Sequence, residues 1–181
     1  MKPTATLIAE HEVIVQMLAE AERVAQAPGT LEHERVAELI EFFANFADRL
    51  HHAKEEQLLF LRLVERGMPS DGGPIGVMLS DHEEGRAYLK AARAELAAAA
   101  RGEQPAVAVV REALLGFAAL LRSHIHKENV ILFRMADELL TAADQADLEA
   151  AFERVNGVEL AAVREQQLAF VRRVAGKPTN K

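Results

Sequence analysis

Two short stretches of the chain repeat imidazole and carboxylate at one spacing: RLHHAKEEQLLF over residues 49–60 and RSHIHKENVILF over 122–133. In each, a His precedes a Glu by four positions, His51 with Glu55 and His124 with Glu128. Residues four apart on an α-helix differ by only about 40° in direction, so both members of a pair leave one face and can chelate one metal centre. Leu58 and Leu59 continue the first stripe, and Ile131, Leu132 and Met135 the second. Burying an imidazole and a carboxylate among such neighbours is costly without a partner, and a cation satisfies both.

Two further histidines stand alone in apolar surroundings, His11 in LIAEHEVIVQML and His82 in VMLSDHEEGRAYL. A helix with a single His followed by a helix with His-x-x-x-Glu therefore occurs twice, and two such units packed about a pseudo-twofold axis bring four histidines and two glutamates together. The chain has no cysteine, so any transition metal is held by nitrogen and oxygen. Six ligands exceed a closed tetrahedral zinc site and suit two ions. Imidazole with carboxylate points to two iron ions under an oxo or hydroxo bridge, with zinc, manganese or copper as substitutes. Glu55 and Glu128 could each bridge the pair, and the remaining open position would take O2, NO or peroxide.

The elements that must carry these residues are helices. Ala, Leu, Glu and Arg dominate, and apolar residues recur every three or four positions between breaks at APGT, RGMPSDGGP and RGEQP. The periodicity predicts long helices over about 4–26, 31–66, 74–101 and 105–140, with Gly67 and Gly102 as C-terminal caps and Pro105 in a first turn. Short connections join antiparallel neighbours, so the fold expected is all-α, an up-down-up-down four-helix bundle. Two shorter amphipathic helices, about 142–155 and 158–174, are expected to cover an end or side of it, or to form a dimer seam. The whole chain, 1–181, is read as one domain.

Half of the residues are hydrophobic and the net charge is −7, with no segregated basic stripe, which argues against a nucleic-acid or anionic-membrane surface. No stretch reads as a membrane span, and Glu10, His11 and Glu12 interrupt the N-terminal apolar run, so the cytoplasm is the expected location. Glu-x-x-His, the ferritin-like ligand pattern, does not occur, nor does a phosphate-cradling glycine loop.

Taken together, HHAKEE with its LF, HIHKE with its LF, the EH of the first helix and the DHEEGR of the third resemble the hemerythrin-like, or HHE cation-binding, proteins, over about residues 4–155. The resemblance implies a four-helix bundle around a non-haem di-iron centre with His11, His51, Glu55, His82, His124 and Glu128 as ligands and both glutamates bridging. It also carries a departure. Oxygen-carrying members place a second His four residues after the ligand of the third helix, where this chain has Arg86. One ion would then lose an imidazole, which is closer to the four-His/two-Glu members linked to nitric-oxide stress and iron–sulfur repair.

The remaining polar residues are assigned more plainly. His52 and Glu56 lie about 100° from the ligand face and are expected at solvent or a helix seam, and His126 points away from His124. His33, about 27 Å before His51 along a helix, cannot reach the site. Asp48 could orient the His51 ring, and Arg86 could pair with a carboxylate near the site or run to the surface. Gly85 and Gly116 fit close helix approach, a gas-access gap or neutral drift, and Tyr88 is core or rim. Functionally this describes a binding, sensing or stress-response protein. Alternatives are a peroxide- or NO-consuming di-iron enzyme, an iron donor or store for metal-centre repair, and a structural bundle with incidental zinc.

Overall fold

The computed structural model describes residues 2–176 and contains helices and turns but no strand among them. Helix α1 is Pro3–Gln26, α2 runs continuously over 33–65, α3 is Gly73–Ala100, α4 runs over 104–139, α5 is Ala142–Arg154 and α6 is Ala161–Ala175. The four long helices form the antiparallel bundle expected from the sequence, each within about two residues of the periodicity's boundaries. Gly67 and Gly102 have φ of +96° and +83°, and the amides just beyond them reach back to Leu63 and Ala98, closing α2 and α3 as left-handed C-terminal caps.

Two hydrophobic clusters flank the middle of the bundle. One holds Met17, Phe42, Phe43, Phe46, Leu114, Phe117 and Leu121, the other Leu7, Leu59, Leu63, Met78, Leu132 and Phe152. Polar residues are buried between them. The first half of α4 is apolar and long enough to pass for a membrane span, contrary to the sequence expectation, but Val110, Leu114, Phe117 and Leu121 on it are core residues of the bundle. Phe170 and Val171 of α6 are buried against the same core, Phe170 lying 6.1 Å from Phe42 by ring centroids. Asp144 ties α5 to α2 through Arg62 and Arg66 and, with Thr141, forms a reciprocal cap at the start of α5.

The two helices that carry the His-x-x-x-Glu pairs are not regular. Phe43–His52 and Glu55–Leu59 in α2, and Glu128–Leu132 in α4, are wound in the wider i→i+5 pattern of a π-helix. Each residue there turns the chain through less than the α-helical 100°, so side chains after the expansion point elsewhere than a 3.6-residue period puts them. Ile131 and Met135 accordingly face outward, at 51% and 40% exposure, while Leu132 and Phe133 take the buried stripe.

The glycines inside α3 and α4 make close approach possible. A Cβ at Gly116 would lie 2.5 Å from the Tyr88 ring, and one at Gly85 would rest 3.5 Å from Phe117. Each glycine thus receives a ring from the opposite helix, so close packing accounts for both.

Candidate metal centre

Five imidazoles and two carboxylates converge between the clusters, each at most 5% exposed. Two groups have the mutual spacing to hold a cation: His52, Glu55, His82 and His124, and His11, His51, Glu55 and Glu128. Glu55 belongs to both. Glu128 also touches both, with Oε2 at 3.1 Å from His11 Nε2 and 3.2 Å from His124 Nε2. Glu55 lies 3.4 Å from His51 Nε2 and 3.5 Å from His82 Nε2.

The duplicated sequence becomes duplicated geometry. His11 meets His51 edge-on with centroids 4.6 Å apart and planes at 62°, and His82 meets His124 at 4.7 Å and 62°. The Phe that ends each motif stacks on the lone histidine of the other unit: Phe60 on His82 and Phe133 on His11. This stacking accounts for the repeated Phe.

Outer partners repeat as well. His51 Nδ1 lies 2.9 Å from Glu10, the residue before His11, and His124 Nδ1 lies 3.3 Å from Asp81, the residue before His82. His82 Nδ1 lies 2.7 Å from Glu56, and His11 Nδ1 lies 2.8 Å from Asn129 Oδ1. A carboxylate or amide oxygen only accepts, so each Nδ1 carries the proton and each Nε2 faces the centre, the tautomer a metal ligand needs. Lys54 in turn pairs with Glu10, and Lys127 donates to Asp81 at 2.6 Å. Arg86 donates to Glu56 at 2.6 Å and Asp48 at 2.9 Å. Of its two sequence readings, pairing near the site holds.

Electrostatics describe a cluster short of positive charge. Burial, and then the nearby Glu128, push the Glu55 carboxyl well above its usual range. Burial opposes charge on Glu128 too, but His124 and His11 hold that carboxyl well below. Burial keeps His51, His52 and His82 neutral by lowering each ring, whereas His124, though buried, is pushed up to about 9 by Glu128 and Asp81. His124 Nε2 is 3.2 Å from both His82 Nε2 and Glu128, so a proton there sits among three ligand atoms. His11 Nε2, His51 Nε2 and all four oxygens of Glu55 and Glu128 are buried without a hydrogen bond. Orphaning such groups costs about 1–3 kcal/mol each, and a pair of cations satisfies all of them.

The hemerythrin HHE cation-binding domain model matches residues 2–136. The chain belongs to the hemerythrin HHE cation-binding family. No curated protein and no solved structure matches it. The HHE match includes all seven clustered residues and ends before α5 and α6.

All six residues expected as ligands from the sequence lie in this HHE cluster. The departures concern their neighbours. His52, expected at solvent or a seam, is 5% exposed and stacks on His82, because the widened turns of α2 bring consecutive residues inward. Glu56 bonds His82 instead of facing solvent alone. Asp48 faces His52 at 3.4 Å and not His51, whose outer partner is Glu10. His126 is exposed and His33 lies outside the cluster, both as expected. Sequence reasoning missed Glu10, Asp81, Lys54 and Lys127, although they stand at equivalent places in the repeat, in AEHE and SDHE and in HHAKE and HIHKE.

Proposed function

We propose that this HHE protein holds two iron ions and binds or reacts with O2, NO or peroxide at them. The supporting observation is the sharing of Glu55 and Glu128 between the two groups of imidazoles. On this reading His52, His82 and His124 would hold one ion and His11 and His51 the other, with Glu55 and Glu128 shared between the two groups. His52 replaces the imidazole that Arg86 denies the third helix, making a five-His/two-Glu set in place of four and two. The His11/His51 half, with only two imidazoles, would then be where a small ligand binds.

When bound, the iron pair supplies Lewis acidity and one-electron redox capacity to a small ligand. The protein does the rest. Glu10, Asp81, Glu56 and Asn129 hold protons on the outer ring nitrogens and fix ring orientation. Phe60 and Phe133 stack on His82 and His11, within a cluster that is buried throughout. The depth of the cluster favours a retained ion pair over a labile iron donor. Cytoplasmic location and a small-molecule partner belong to the same proposal.

Metal analysis of protein purified without added metal, with an absorption spectrum in air, tests it. About two irons per chain with charge-transfer bands, lost in both Glu55→Ala and Glu128→Ala, is the expected result. Full metal in both variants would refute the site. Turnover of peroxide or NO above that of free iron would make the protein an enzyme; stable adducts without turnover would make it a carrier or sensor.

A further inference from the structure

The two halves of the metal cluster differ in one respect that lies outside the matched HHE segment. On one side Lys127 pairs with Asp81 at the surface, its side chain 32% exposed. On the other side the equivalent Lys54 is fully buried. What covers it is the C-terminal extension: Lys54 Nζ donates to Asn156 Oδ1 at 2.9 Å and lies 5.6 Å from the ring of Phe152. Asn156 stands in Val155–Glu159, a widened turn after α5. An ammonium out of water needs its donors placed, and Asn156 takes one while Glu10 takes another. The contacts then run inward without a break. Glu10 Oε2 meets His51 Nδ1 at 2.9 Å, and His51 Nε2 faces Glu55 at 3.4 Å.

We propose that Asn156 is a positioning residue for the metal centre, acting through Lys54 and Glu10 to fix the His51 ring, so that the C-terminal extension completes the His11/His51 half of the site. This rests on the metal-binding reading above. The other half, held by Asp81 and Lys127, needs nothing from the extension. Side-chain partners one step beyond the ligands typically change metal affinity by about 10–100-fold; Asn156, one step further out, is expected at the lower end.

The test is anaerobic titration of the metal-free full-length protein with ferrous iron, resolving two binding steps. In Asn156→Leu one step weakens by about tenfold and the other stays within about twofold, Asn156→Asp restores the acceptor and the affinity, and on a His11→Ala background Asn156→Leu has no further effect. Unchanged binding in Asn156→Leu overturns the proposal. So does equal weakening of both steps, failure of Asn156→Asp to restore, or the same loss on the His11→Ala background, each of which would mean the extension only stabilises the bundle. Absence of iron binding in the unsubstituted protein overturns the underlying reading instead, and is seen before any variant is made.

Discussion

His52 lies face to face with His82, ring centroids 3.8 Å apart and planes at 13°. Two stacked neutral imidazoles with their nitrogens beside His124 and Glu55 make a three-nitrogen face for one cation. His52→Ala is therefore expected to weaken iron binding by tenfold or more, whereas His126→Ala on the exposed side of α4 leaves it unchanged. Iron titration of the two variants checks this, and equal affinities would remove His52 from the ligand set.

Glu55 sets stability against function. Its carboxyl is buried without a hydrogen bond beside Glu128, so the metal-free fold keeps it only by taking up a proton at a cost, and Glu55→Gln removes that cost. The variant should melt a few degrees higher than the unsubstituted protein when both are metal-free, and lower when both are given iron. Calorimetry in chelator and in excess ferrous iron reads both arms. A lower melting point in chelator would contradict the account.

Gly116 is a packing position. A methyl group there meets Tyr88 at 2.5 Å, and overpacking of this kind costs about 1–3 kcal/mol, partly offset by the better helix propensity of Ala, about 1 kcal/mol. Gly116→Ala alone should destabilise, and Tyr88→Ala in the same chain should relieve the clash, giving a double variant more stable than the two separate losses predict. Additive losses in denaturant unfolding would show that the ring and the glycine are not coupled.

Asp144 gives the extension a dependence on acid. Its carboxyl is held well below the ordinary 3.8 by hydrogen bonds from Arg66, Thr141 and Arg62, despite some desolvation. A group with a lowered folded value contributes fully above its unfolded value and loses that contribution as pH falls below about 3.8 toward the folded one. Docking of α5 should therefore weaken below about pH 4 in the unsubstituted protein, while Asp144→Asn is already weakened at pH 7 and loses little more on acidification. Thr141→Ala, which removes the reciprocal cap, should cost about 1 kcal/mol at pH 7. Hydrogen exchange of the α5 amides as a function of pH distinguishes the cases.

Much of this was legible in the chain because helices write their faces at a fixed period. Breaks at Pro and Gly marked off the four long helices, the amphipathic tail supplied the two shorter ones, and two His-x-x-x-Glu pairs with two lone histidines gave the six expected ligands. His52, Ile131 and Met135 were misplaced for one reason. They sit in or beside turns wound at i→i+5, and no residue type in HHAKEEQLLF or KENVILF announces a wider turn. Lys54 was invisible for a different reason: a lysine is solvated by default, and the groups that bury it, Asn156 and Phe152, stand far along the sequence.

The widened turns of α2 and α4 bear on how this bundle could be rebuilt. An engineer who regularised those two helices, as ideal scaffolds require, would keep every amino acid and still turn His52 away from its neighbours, because the ligand geometry is written in the winding as much as in the letters. Copying the residues onto a straight helix transfers the motif without the site, and a successful transplant has to carry the irregular backbone with it.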